Sequence, residues 1–272
     1  MAPWDLADVD DLSGLFQNKT RFNVDIGRWN VAGVRDMRGM FDNCEDFNAD
    51  LGAWQTGAVK DMSHMFDNCR AFNADLGAWQ TGAVGKMRFM FYNCSSFKAD
   101  LGAWQTGAVE SMSHMFYNCS SFDADLGAWQ TGAVKSMRCM FFGCLVFRGK
   151  GLSAWQTGAV KSMQKMFNSC FSFHGADLGA WETGAVEDMS DMFCDCGRVD
   201  MEFFMRSGRE KVHHPPSALA DMNPMFHGCK AIICSVVGWD TRAVKEGKGH
   251  GLEGGWWWAK QVKVQAEVQA ER

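Results

Sequence analysis

Apolar positions recur along most of this chain in a single register. Trp29, Trp54, Trp79, Trp104 and Trp129 are 25 residues apart, and Trp155 and Trp181 follow at 26. The motif Met-x-x-Met-Phe recurs from Met37 through Met189, and Cys44, Cys69, Cys94, Cys119, Cys144, Cys170 and Cys196 keep the same phase. A unit this short cannot bury its apolar side without a neighbour stacked on it, so a repeat of this length predicts a solenoid rather than a globule.

Within the unit Trp54 to Gly77, two patterns predict two elements. Met62, Met65, Phe66 and Cys69 fall at i, i+3, i+4 and i+7, one face of a helix of about two turns, with Asp61 or Lys60 before it as a cap. Such a helix is marginal alone, and stacking must hold it. Phe72, Ala74 and Leu76 then alternate with Asn73 and Asp75, the period of a short strand with one buried face. Gly77 to Gly82 turns the chain. The expected fold class is therefore an α/β repeat solenoid, with one short parallel strand and one short helix or turn per coil of about 25 residues.

The same register divides the chain. Residues 1–28 read as a degenerate first repeat or cap, with Leu12, Leu15 and Phe16 at the Met-Met-Phe positions and Lys19 in place of cysteine. Residues 29–196 are the regular repeats. Residues 197–218 lack the tryptophan, contain His213-His214-Pro215-Pro216, and read as an insertion. The template resumes over 219–244 with Met222, Met225, Phe226, Cys229 and Trp239, and 245–272 is loop and tail.

Composition follows from the template: 12 Trp, 21 Phe, 19 Met and 11 Cys stand against 2 Tyr and 4 Pro in 272 residues. A net charge of -5 supplies no basic field for nucleic acid. No apolar run is long enough to span a bilayer, and the start has no basic segment followed by an apolar one.

The sequence WQTGAVKDMSHMFDNCRAFNADLGAW closely resembles the unit of the BspA-like leucine-rich repeat surface proteins, also described as a domain of unknown function in the leucine-rich repeat group. The shared pattern runs Trp-x-Thr, Val, Met-x-x-Met-Phe, Cys, Phe-Asn-x-Asp-Leu. It covers about Trp4 to Val244 apart from the insertion, with Gln-Thr-Gly-Ala where the family often has Asp-Thr-Ser-Asn. The resemblance implies a leucine-rich-repeat-like solenoid used for adhesion or protein recognition, secreted or at a cell surface, without a common catalytic residue. It implies a protein partner; the Met and Trp stripes, which could be imagined as a cofactor slot, recur in every unit and read as core, so no cofactor is assigned.

Candidate chemistry is weighed against this repeat. The cysteine ladder lacks zinc-ligand spacing, and successive coils would hold Cβ atoms roughly 4.8 Å apart, wider than disulfides prefer, so it reads as buried thiols. Cys139, Cys194 and Cys234 are off the ladder and are expected to be the more reactive. His213 and His214 lack a partner ligand at metal-binding spacing. No nucleophile elbow or phosphate loop is present, so no catalytic or metal residue is assigned. The expected partner-binding face is the outward side of the strands, with Asn23 and Asp25, Asn48 and Asp50, Asn73 and Asp75, Lys98 and Asp100, and Asp123 and Asp125 in rows. Stacked carboxylates there should have raised pKa values or attract a cation or basic partner, unless hydrogen bonds absorb the charge. The residues beside the methionines, Arg38, His64, Arg88, His114 and Arg138, extend that surface. The alternative is that the Asn/Asp rows, or the row Thr56, Thr81, Thr106, Thr131, Thr157 and Thr183, bind calcium, a glycan or ice.

Overall fold

In the computed structural model, residues 6, 8–173, 178, 180–200 and 231–233 are described. The 25-residue units lie on one another in parallel. Single bridges join Asp11, Asp36, Asp61, Lys86, Ser111, Ser136, Ser162 and Asp188 in succession, so each unit contacts the next at the same template position. The only elements longer than a bridge among the described residues are a 3-10 turn at Leu152–Ala154 and strands β1 (Arg198–Asp200) and β2 (Ala231–Ile233), which pair in parallel with Val199 opposite Ile232.

The Met-x-x-Met-Phe segment is not the helix that its spacing suggests. In every unit it makes consecutive tight turns with two left-handed residues four apart. Gly39 and Asn43, His64 and Asn68, Phe89 and Asn93, His114 and Asn118, Cys139 and Gly143, Lys165 and Ser169, and Asp191 and Asp195 all have φ between 52 and 69°. A right-handed helix cannot include them. Two successive turns nevertheless turn residues i, i+3, i+4 and i+7 inward, which is why the apolar pattern imitates a helix.

Backbone hydrogen bonding explains why the turned form holds. The N–H groups of Met37, Gly39, Phe41 and Asn43 donate to the carbonyls of Asp61, Ser63, Met65 and Asp67 in the next unit at 2.8 to 3.0 Å. The intervening N–H groups of Met40, Asp42 and Cys44 fold back on Met37, Gly39 and Phe41 at 2.9 to 3.2 Å. Alternate residues thus bond between units and within a unit, so buried polar backbone is satisfied without helix or sheet. The residue at the bridge starts the turns: the Asp36, Asp61 and Asp188 carboxylates accept the N–H two residues on at 2.8 to 2.9 Å, and Ser136 accepts in the same way.

The expected strand at Phe72 to Leu76 is likewise extended but unpaired as a strand. Phe72 and Leu76 are buried and Asp75 is exposed, as the alternation requires. The Asn73 N–H, however, donates to the Asn48 side chain at 2.7 Å rather than to a neighbouring main-chain carbonyl. The amide side chain supplies the acceptor in the place where a ladder would form.

Between these segments the core is a set of continuous side-chain columns. Phe41, Phe66, Phe91, Phe116, Phe141, Phe167 and Phe193 stack at centroid distances of 5.6 to 5.7 Å. Trp54, Trp79, Trp104, Trp129, Trp155 and Trp181 stack at 6.1 to 6.4 Å with planes within 5°. Each indole N–H also reaches back to the preceding unit, Trp104 to Leu76 O at 3.0 Å for example, so the buried donor is not wasted. The additional residue near repeat six is taken up by Gly149 and Gly151, at φ 79 and 83°, and the bridge ladder continues across it from Ser136 to Ser162.

Of the expected segments, the insertion 197–218, the last repeat 219–244 and the tail 245–272 lie outside the described residues, apart from 197–200 and 231–233.

Candidate functional site

The residues expected to form a partner-binding row do come together, as two adjacent columns on the exposed side of the extended segment. Much of their bonding capacity is already used. Asn23 accepts the Asn48 N–H at 2.9 Å, Asn48 accepts that of Asn73, Asn73 accepts that of Lys98 at 2.8 Å, and Asp123 accepts that of Arg148 at 2.8 Å. Asp25, Asp50, Asp75, Asp100 and Asp125 each turn one carboxylate oxygen onto the glycine N–H two residues on, at 2.8 to 3.1 Å. One oxygen of each of these aspartates therefore closes a turn, and the second faces outward.

Carboxylate crowding does not raise the pKa where a shift is seen. Asp125 is held below its ordinary value, first by the Gly127 N–H and then by the Lys150 ammonium 3.0 Å away. Arg148 lies 3.4 Å from Asp123 in the same way, so the interruption in repeat six covers the end of the row with cations. Among the described residues, no three of His, Cys, Asp and Glu converge on a point that could hold a metal ion.

The threonine row is withdrawn from the surface except at its end, where Thr183 is half-buried. Thr56, Thr81, Thr106 and Thr131 are fully buried, with Thr157 nearly so. Thr106 Oγ1 donates to Gln130 O at 3.0 Å and accepts the Gln130 N–H at 2.9 Å, and Thr81 and Thr131 do the same one unit before and after. These hydroxyls join coils and are withdrawn from any ligand.

The ladder cysteines are buried free thiols. Each donates to a phenylalanine carbonyl of the preceding unit, Cys94 to Phe66 O at 2.9 Å. Burial pushes Cys44 up to about 11 and Cys69, Cys94, Cys119 and Cys170 further. Cys139, expected to be reactive, is also buried, and desolvation raises its thiol. Cys194 is half-buried, and Cys234, His213 and His214 lie outside the described residues.

Arg38, His64, Arg88, His114 and Arg138 do not form one row. Strict register separates them: Arg38, Arg88 and Arg138 take the first place after the methionine, whereas His64 and His114 take the second, with Phe89 between them. His64 and Phe89 stack at 4.6 Å and 8°, and Phe89 and His114 at 4.3 Å and 5°. Three residues on, Tyr92, Tyr117 and Phe142 form a second column at 4.5 Å. Beside it runs an amide ladder, with Asn93 donating to Asn68 at 2.7 Å and Asn118 to Asn93 at 3.0 Å.

These six aromatic residues are half-buried and make one strip on the turned side of the stack. Within the strip the rings cover one another's faces, so it offers ring edges and polar tips along its length, and at its His64 end one ring face is left uncovered. The two histidines differ because their units differ. His64 Nδ1 meets the Asp67 carboxylate at 2.9 Å. In the unit of His114 the matching residue is Tyr117, its buried Nδ1 finds no partner among the described residues, and burial, with Arg138 and His64 adding to it, lowers its pKa to about 4. His114 is therefore a neutral member of the strip at pH 7. Reading the second variable position alone, as Gly39, His64, Phe89, His114 and Cys139, is the signal by which the sequence reveals this column.

The stacked units and their uninterrupted side-chain columns define a tandem-repeat protein. The chain matches the family described as Mycoplasma protein of unknown function, DUF285, over residues 1–104, 86–203 and 209–249, and it belongs to that family. The description names neither BspA nor leucine-rich repeats. No curated protein and no solved structure matches the chain. No helix among the described residues is long and apolar enough to cross a membrane.

Proposed function

We propose that this is a non-enzymatic protein-binding module of the adhesion type, a leucine-rich-repeat-like solenoid that presents a surface repeated from coil to coil. The observation that carries the reading is the half-buried aromatic strip from His64 to Phe142, lying outside the columns that form the core. Aromatic residues with an apolar body and a polar edge are enriched at protein interfaces and among their strongest contacts. The likeness of the repeat to the BspA-like unit supports the same reading and suggests a secreted or cell-surface setting. In this reading the outward oxygens of Asp25, Asp50, Asp75 and Asp100 form a second, acidic flank that orients a basic partner.

The test is capture of stoichiometric partners by the whole chain, followed by titration of the partner found. Tyr92→Ser with Tyr117→Ser should weaken binding on the order of 30-fold, as removal of two interface aromatics does. Changing Asp50, Asp75 and Asp100 to Ala should act mainly on the association rate and its salt dependence. Full binding in both variants would sink the proposal.

A further inference from the structure

The aromatic column ends abruptly at His64, and the way it ends makes a site. In the two preceding units its place is held by Gly39 and Gly14. Here an open cleft of about 430 Å³ is lined by Ser13, Gly14, Gln17, Arg38, Gly39, Asp42 and His64. By register, the glycines are the floor, Ser13 and Arg38 precede them on one side, and Gln17 and Asp42 follow on the other. His64 closes the end of the cleft, with its side chain about one-third exposed at 34%.

Packing does not demand glycine at either place. A Cβ on Gly39 would meet nothing nearer than Asp42 Cβ at 3.7 Å, and one on Gly14 nothing nearer than Gln17 Oε1 at 3.6 Å. The left-handed backbone does not demand it either, since His64, Phe89, His114 and Cys139 adopt φ of 52 to 60° at the same template position. What the glycines do is leave the next two places in the stack open.

His64 is prepared to receive a ring there. One face lies on Phe89 at 4.6 Å, and Nδ1 is fixed by Asp67 at 2.9 Å, so its orientation is set before anything binds. The chain also shows what fits against a histidine in this column: Phe89 covers one face of His64 and one of His114, at 4.6 and 4.3 Å. The walls offer a guanidinium on Arg38 and a carboxylate on Asp42, whose Oδ2 is steadied by Gln17 Nε2 at 2.6 Å. Such a pair suits the carbonyl and N–H groups of a peptide.

We propose that the cleft takes an aromatic side chain of a partner polypeptide, Phe, Tyr or Trp, stacked on the open face of His64 as the next member of the column. The assignment rests on the protein-binding reading and gives it a place and a chemistry. Arg38 and Asp42 hold the main chain of the segment that carries the ring.

The test uses the full chain with isotope-labelled histidine. N-acetyl-tryptophanamide and N-acetyl-tyrosinamide are titrated while the His64 ring protons are followed by NMR, with N-acetyl-cyclohexylalanine amide as the saturated control. The aromatic probes should produce saturable upfield shifts at His64, the control none, and Gly39→Phe should abolish them by filling the place covalently. Gly39→His, a residue this column already holds elsewhere, serves the same purpose if the Phe variant does not fold. Absence of a saturable shift, an equal shift with the saturated control, or a shift surviving in folded Gly39→Phe or Gly39→His overturns the site. A partner captured by the native chain should bind at least 10-fold more weakly to the Gly39 variant, and unchanged binding overturns its assignment to the partner's ring. If the probes bind and the native chain captures no partner, the protein-binding reading falls and with it the peptide occupant, while the ring site stands.

Discussion

Replacing Thr106 by Val changes one atom type and almost no volume, and it separates two accounts of what holds the units together. If burial of apolar surface were the whole story, Val would equal or improve on Thr at this fully buried position. The hydroxyl, however, donates to Gln130 O at 3.0 Å and accepts the Gln130 N–H at 2.9 Å, so Val strands both main-chain groups of one residue. An unsatisfied buried group costs roughly 1 to 3 kcal/mol. Because these two bonds are only partly buried, the lower part of that range applies and the expected loss is about 2 to 4 kcal/mol. Thr106→Ser keeps the hydroxyl and drops one methyl, a loss of about 1 kcal/mol. The expected order of stability is therefore Thr, then Ser, then Val. Urea melts give the order, and hydrogen exchange at the Gln130 amide gives the local event, which guards against unfolding in stages, as stacked repeats can do. Val as stable as Ser, with the Gln130 amide still protected, would refute the account.

Other consequences can be measured on the same protein. His114 is neutral in the fold with a pKa of about 4 against 6.5, so as pH falls from 6.5 to 4 the unfolded chain takes up its proton first and stability drops. Full linkage would be about 3 kcal/mol, and half-exposure cuts this to about 1 to 2 kcal/mol; His114→Phe should remove that part of the melting-temperature difference between pH 7 and 4.5. The ladder thiols run the other way: their raised values mean that stability is intact below about pH 9 and declines above it as the unfolded chain ionises, and iodoacetamide at pH 8 should modify Cys94 only after denaturation. Gly151→Ala should cost about 2 to 4 kcal/mol in a thermal melt, because a methyl at φ 83° runs into the Gly127 backbone and the Asp125 carboxylate. With its threonines buried, the chain should show no thermal hysteresis; a clear ice-growth delay would contradict the placement of Thr81, Thr106 and Thr131.

The repeat period and the inward set were legible in the sequence because burial imposes them unit by unit: Trp79, Met87, Met90, Phe91, Cys94 and Phe97 are all in the core. The backbone between them was not. Spacing of three and four residues is shared by a helix and by paired turns, and only the left-handed residues separate the two. Asn68 and Asn93 are at home there, but Phe89 and Lys165 are poor left-handed residues that the bonds between units hold in place. The extended segment misled for a related reason, since Asn48 supplies from its side chain the acceptor that a strand takes from its neighbour's backbone. Polarity was an unreliable guide to exposure: Thr106 is polar and buried, while Tyr117 and Phe142 are aromatic and half-exposed. The aromatic strip depends on register across units, and it emerges only when each variable place is followed separately.

The bridge ladder passes from Ser136 to Ser162 although this step is one residue longer than those before it, because the additional length is taken up at Gly149 and Gly151, away from the ladder. Each coil is therefore interchangeable with its neighbour: it presents the same donors forward and the same acceptors behind. Duplicating or deleting one whole unit of DNA would re-form the same backbone bonding pattern at the new junction, so array length can change by whole units with the stack preserved. A single residue can also be gained, provided that it enters at the Gly-rich corner, and that makes the corner the place where sister arrays should differ in length.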